Sequence, residues 1–177
     1  LIEKIMVSLD NIRNSAIVIA QHMDALSLRS FARRLHRIHP EDVMLVSERT
    51  EIQSGGIYVV RDTAVVRFEH NRFILELQSV QESYYHPTID VLFDSAAALQ
   101  HIEISAYLLS GIGADGAKGM LELKQSGSKT VAQDEQSSIV YGMPKRALEM
   151  GAVEQVLSID DIIIDIQREA NNNVCTI

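Results

Sequence analysis

Ser105-Ala106-Tyr107-Leu108-Leu109, followed by Ser110-Gly111-Ile112-Gly113-Ala114-Asp115-Gly116, is the stretch on which the fold turns. The first five residues are mostly apolar without polar alternation, the pattern of a strand covered on both faces. Three glycines then turn the chain, helical spacing runs through Leu123, and a turn at Gly127 leads into Thr130-Val131-Ala132, a further strand. Strand, helix and strand in this order form a crossover unit, which pairs its strands in parallel.

The same alternation extends in both directions. Upstream, the first ten residues read as a helix with Leu1, Ile2, Ile5, Met6 and Leu9 on one stripe. Ala16-Ile17-Val18-Ile19-Ala20 is a second buried-strand run ending at Gln21-His22-Met23. Leu28, Phe31, Ala32, Leu35 and Ile38 then mark a helix over 26–38, closed by Pro40. Ile89 to Ile102 is helical again. Downstream, a helix begins near Pro144, a strand runs near Val153 to Leu157, and a last helix starts at Ile159 with Ser158 as its cap.

The middle is different. Val43–Val46, Ile57–Val60, Ala64–Phe68 and Phe73–Leu77 are short strand-like runs broken by Ser54-Gly55-Gly56, Arg61-Asp62 and His70-Asn71, which reads as a small β-hairpin-bearing insertion. The expected fold is α/β: one domain over residues 1–177, a three-layer, doubly wound, mainly parallel sheet with that insertion. Length agrees, since 177 residues suit one domain.

Composition excludes several classes. With 46% apolar and 23% charged residues the chain is an ordinary globular one. No apolar stretch approaches the roughly 20 residues that span a bilayer, and no secretory signal opens the chain, so a soluble, cytoplasmic protein without membrane insertion is expected. A formal net charge of −8 repels phosphates and argues against nucleic acid as a partner. The single cysteine, Cys175, lies in the polar tail after Asn171-Asn172-Asn173; it can form neither an internal disulfide nor a thiolate cluster and is expected to be inert.

In a doubly wound sheet, functional groups gather at the carboxyl ends of strands. His22 and Asp115 both follow such ends. Each has a structural alternative, packing for His22 and a helix cap for Asp115. Together they fit two-thirds of a hydrolase triad, in which the carboxylate orients the imidazole and the imidazole takes the nucleophile's proton. A rival reading is dinucleotide binding, because Gly111, Gly113 and Gly116 match G-x-G-x-x-G, with Asp134 and Glu135 where a ribose-binding acid would stand. Asp115 would then set an anion beside the pyrophosphate, which opposes it. His36, His39, His70, His86 and His101 show no metal-ligand spacing, so no metal site is expected. Tyr84-Tyr85-His86-Pro87 reads as rim packing or substrate contact.

Several ordered blocks carry a resemblance. Ala20-Gln21-His22-Met23 with Ser30-Phe31-Ala32-Arg33-Arg34-Leu35, then His86-Pro87-Thr88-Ile89-Asp90-Val91-Leu92-Phe93, then Ser110 to Met120, then Ala132-Gln133-Asp134-Glu135 leading to Tyr141-Gly142-Met143-Pro144, resemble the chemotaxis methylesterase catalytic domain, CheB. The resemblance implies a Rossmann-like sheet and a Ser-His-Asp hydrolase of glutamyl methyl esters on the cytoplasmic helices of methyl-accepting chemoreceptors, with glutamine deamidation as a second activity. It implies His22 as general base and Asp115 as its orienting carboxylate. Gln21, Met23 and Gly113 would line the cleft, with Gln133 and Met143 near its wall, and no cofactor is expected.

The chain departs from that pattern in places. Ile112 stands where the family has Met, and His86 where it has Arg. The family's nucleophile lies in a Gly-x-Ser-Thr-Gly-Gly loop after the first strand, and nothing here matches it: Ser54-Gly55-Gly56 is a turn of the insertion, and Ser110 suits packing or hydrogen bonding. Nor do these residues include a receiver domain. The expectation is a sequence that starts in mid-fold, with the strand and serine loop upstream of Leu1 and residues 1–177 inactive alone. The alternative is a receptor-binding module without catalysis.

Overall fold

Alternate residues of one central strand enter two different cores, and this organises the molecule. The computed structural model describes residues 1–9, 12–39, 42–78, 85–100, 102–170 and, as backbone, 174–176. In chain order its elements are α1 (Ile2–Ser8), β1 (Ala16–Ile19), α2 (Ala25–Ile38), β2 (Val43–Val46), β3 (Thr50–Ile52), β4 (Ile57–Val60), β5 (Ala64–Glu69), β6 (Arg72–Leu77), α3 (Ile89–Ala97), β7 (Glu103–Leu108), α4 (Ala117–Gln125), β8 (Lys129–Gln133), α5 (Met143–Glu149), β9 (Gln155–Leu157), α6 (Ile159–Ala170) and β10 (Val174–Thr176).

All four residues of β1 are buried. Ile17 and Ile19 join Met6 of α1, Leu28 and Leu35 of α2 and Ile162 of α6 on one side. Ala16 and Val18 join Leu92 of α3, Met120 of α4 and Ala147 of α5 on the other. A period of two on a strand produces this division, and it makes the three layers. The helices follow from their stripes: Leu28, Phe31, Ala32 and Leu35 are the buried face of α2, and Asp24 caps it by accepting from Leu26 N and Ser27 N at 3.0 Å each. Ser158 accepts from Asp161 N at 3.2 Å in the first turn of α6.

Among the described residues the main sheet has seven strands in the order β2-β4-β1-β10-β7-β8-β9, every pair parallel. A separate antiparallel sheet, β3-β6-β5, forms the hairpin insertion. His70 and Asn71 turn that hairpin with positive φ at both positions. No described helix is long and apolar enough to cross a membrane.

The structure corrects the sequence reading in three places. Val43–Val46 and Ile57–Val60 are not part of the insertion; they are β2 and β4 of the main sheet, paired from Val43↔Ile57 to Val46↔Val60. Strand composition does not encode which sheet a strand joins; the second core does, by taking up Val59 and Ile57 beside Ile19. Helix α3 stops at Ala97, not Ile102, because Leu99 and Ile102 reach the same core without helical backbone. Pro40 and His101 lie outside the described residues.

The third correction is the largest. Val174–Thr176, expected to be part of a polar tail, is β10 in the middle of the sheet. It pairs Ala16↔Cys175 and Ile17↔Thr176 on one side, and Val174↔Glu103, Cys175↔Ile104 and Thr176↔Ser105 on the other. These are the amino-terminal halves of β1 and β7. Among the described residues no strand lies between their carboxyl-terminal halves, where a cavity of about 340 Å³ is lined by Ile5 and Met6 of α1, Ile19, His22, Leu92 and Leu108.

Candidate active site

Asp115 stands between Gly113 and the start of α4 and is only 3% exposed. Burial of a carboxylate requires donors, and three converge on it. Its Oδ2 accepts from Ile89 N at 2.7 Å and lies 2.7 Å from His22 Nε2; its Oδ1 accepts from Asp90 N at 3.0 Å. The two amides belong to the first turn of α3, whose positive end also favours an anion. Burial, the largest single influence, pushes the Asp115 carboxyl up, but the His22 contact and the two amides outweigh it and hold it below the usual range.

His22 follows β1 and is partly exposed. With Nε2–H donated to Asp115, the neutral ring carries its lone pair on Nδ1, which makes no hydrogen bond among the described residues. The ring of Tyr85 lies on the imidazole, centroids 5.1 Å apart and planes 19° apart. Sequence reading assigned Tyr85 only rim packing or substrate contact; two adjacent tyrosines before a proline carry no signal for a stack on a histidine distant in sequence. Tyr84 lies outside the described residues.

Gln21 and Met143 line the cavity with His22, and Met23 packs on the α1–α2–α6 core. Gly113, at φ +96°, sits under the Tyr85 ring. Gln133 is fully buried: Oε1 accepts from Ser110 N at 2.8 Å, and Nε2 donates to Ser137 O at 2.8 Å. It is a strut behind the Ser110 loop and offers no surface to a ligand. Ser110 Oγ accepts from Val140 N at 2.8 Å, and Gly111 O accepts from Met143 N at 2.9 Å, which ties the Asp115 loop to residues 139–143. Ser54-Gly55-Gly56 is at the opposite, amino-terminal edge of the sheet, where Gly55 N donates to Ser15 O at 2.8 Å.

The glycine loop is not arranged for a pyrophosphate. An amide in the first turn of α4, Gly119 N, donates to Asp90 Oδ1 at 2.8 Å, so this helix start already holds a carboxylate. Asp134, the suggested ribose acid, is engaged in its own turn, accepting from Ser137 N at 2.9 Å. Among the described residues no cluster of three or more His, Cys, Asp or Glu could hold a metal ion.

Residues 1–166 match the family described as CheB methylesterase. The chain is 38% identical over 149 residues to protein-glutamate methylesterase/protein-glutamine glutaminase 1 of Dechloromonas aromatica, covering 82% of this chain and 43% of that protein. It is 39% identical over 153 residues to protein-glutamate methylesterase/protein-glutamine glutaminase of Sulfurimonas denitrificans, covering 85% and 44%. The chain therefore spans less than half the length of these curated relatives. Its structure superposes on the CheB methylesterase catalytic domain of Thermotoga maritima with a TM-score of 0.84 at 25% identity, over 96% of this chain and 89% of that one. A match of this extent to the family and its solved fold means that the chain belongs to the CheB methylesterase family.

Proposed function

We propose that residues 1–177 hold the base and orienting acid of a protein-glutamate methylesterase that hydrolyses glutamyl methyl esters on chemoreceptor cytoplasmic helices in chemotactic adaptation. The names of its relatives add glutamine deamidation as a companion activity. The observation that carries the reading is the His22–Asp115 contact at the carboxyl edge of the sheet, with Nδ1 left as the basic nitrogen.

The nucleophile in this reading is a serine outside residues 1–177. No serine hydroxyl among the described residues hydrogen-bonds His22. The apolar cavity between the carboxyl-terminal halves of β1 and β7 is bounded by α1 and α3 and includes His22 in its lining, as a site for a strand feeding a serine loop would. In the reaction the serine proton passes to His22 Nδ1 while Oγ attacks the ester carbonyl. Methoxide leaves with that proton as methanol. Water, deprotonated by the same nitrogen, then cleaves the acyl-enzyme to glutamate and free serine. Asp115 stabilises the imidazolium in both halves.

The test is methanol release from methylated receptor by a chain extended to include the serine loop. Residues 1–177 alone should be inactive. In the extended enzyme His22→Ala should lower turnover by about 10⁴ or more. Full activity in a folded His22→Ala protein would exclude His22 as the base, and an inactive extended enzyme that still binds receptor would favour a non-catalytic binding module.

A further inference from the structure

We propose that Tyr85 is a positioning residue for His22, fixing the plane of the imidazole that Asp115 alone leaves free to swing. The proposal rests on His22 being the general base, and it adds a residue that this role requires. A single hydrogen bond to Nε2 restrains one atom of the ring. The ring can still rotate about the line to Asp115 and carry Nδ1 away from any fixed target. His22 is partly exposed, so packing does not prevent this. A flat partner against one face removes that freedom, and Tyr85 supplies it at 5.1 Å and 19°. The electron-rich tyrosine face is also a favourable surface for the imidazolium formed during turnover.

Tyr85 is itself held from two sides. Its carbonyl accepts from Thr88 Oγ1 at 3.0 Å, and Thr88 N donates to Thr63 Oγ1 at 3.0 Å. Thr88 precedes the first residue of α3, and the next two amides are those that bind Asp115. One turn therefore carries both restraints on His22, the stack directly and the carboxylate through its amides. At the other end, the Tyr85 hydroxyl occupies the space that a Cβ on residue 113 would need. Glycine at 113 lets the phenol lie flat across the loop, with its face toward His22.

The experiment reads His22 itself, in the folded chain, by long-range ¹H–¹⁵N correlation of its ring nitrogens and by exchange of the Nε2 proton with water. The wild-type protein should show one tautomer, protonated at Nε2. Tyr85→Leu should keep that tautomer, because the ring swings about its bond to Asp115, but should speed exchange of the uncovered Nε2 proton up to about tenfold, the ratio expected for loss of one ring stack. Tyr85→Phe, which keeps the ring, should remain within about twofold of wild type on the same scale. Gly113→Ala, which pushes the phenol aside without touching His22 or Asp115, should resemble Tyr85→Leu. An unchanged His22 in Tyr85→Leu or Gly113→Ala would overturn the proposal, as would equal loosening in Tyr85→Phe. The amide spectrum of each variant reports its fold. None of these readouts uses turnover, so failure of the esterase reading would be seen separately in the methanol assay.

Discussion

Asp115 Oδ2 lies 2.7 Å from His22 Nε2 and accepts from Ile89 N at the same distance, so one buried oxygen joins the loop after β1 to the first turn of α3. The carboxylate therefore holds two parts of the fold together, apart from the role proposed for it in catalysis. Removing it strands three donors.

Asp115→Asn should destabilise the chain by about 1–3 kcal/mol, because an amide cannot accept from all three donors and turns an N–H toward one of them. Against burial, His22 and the two α3 amides hold the folded carboxyl below its ordinary value of 3.8. Its stabilising contribution is thus fully present above that value and is lost as pH falls through the lower folded value. Urea unfolding from pH 7 down to pH 3 should show an acid-side loss in wild type that is smaller in Asp115→Asn. In the serine-bearing enzyme the same change should cost about 10⁴ in turnover.

Gly113→Ala and Gly127→Ala separate two costs. Both glycines have positive φ, +96° and +89°, but a Cβ at 113 meets Tyr85 whereas one at 127 meets nothing within 4 Å. Gly127→Ala should cost about 1 kcal/mol of backbone strain. Gly113→Ala should cost about 1 kcal/mol more. Equal losses in denaturant titration would mean that Tyr85 yields freely.

Lys129 joins β8 to α6 through Asp165 at 2.6 Å and Glu169 at 2.8 Å, and Tyr107 donates to Asp165 at 2.7 Å. Lys129→Ala should destabilise by about 3 kcal/mol by leaving the buried Asp165 without its nearest cation, Arg168 being 4.0 Å away. Tyr107→Phe should cost about 1 kcal/mol. Breaking the exposed Lys4–Asp160 pair should change stability by no more than about 0.5 kcal/mol. Burial pushes the Lys129 ammonium down, but the two carboxylates outweigh it and raise the group above 10.5. Its contribution is present below pH 10.5 and is lost as pH rises through the folded value.

Calorimetric titration with NAD and NADP should give no saturable heat at micromolar concentrations. The first turn of α4 already donates to Asp90 through Gly119 N, and Asp115 adds a second anion to the loop. Saturable micromolar binding would restore the dinucleotide reading of the glycines.

Cys175→Pro should cost about 3 kcal/mol, since Cys175 pairs with Ala16 on one side and Ile104 on the other, and proline removes a ladder donor in a central strand. A neutral effect in urea unfolding would mean that β10 contributes nothing to the sheet.

Much of the fold was legible because it is written in local periodicity. The unbroken run at Ala16–Ala20, the stripe from Leu28 to Leu35, Pro144 at a helix start and Ser158 as a cap each encode an element through neighbouring residues alone. Which sheet β2 and β4 join is not local; it depends on pairing with β1, and their composition resembles that of β5 and β6. β10 escaped notice because three residues are too few for a period, and its place is decided by the unpaired main chain of β1 and β7.

His22 and Asp115 were legible as candidates because each follows a buried-strand pattern, which carries residues to one edge of a parallel sheet. By itself the sequence determined the alternation of strands and helices and the acidic balance, and it singled out the two residues of the candidate site. Only the tertiary structure decided that Nε2 rather than Nδ1 meets Asp115, that the α3 amides hold the carboxylate, and that Tyr85 covers the imidazole. The physical reason is range: backbone periodicity is imposed by neighbours a few residues apart, whereas these contacts join residues from 25 to 93 positions apart and exist only after the sheet has formed.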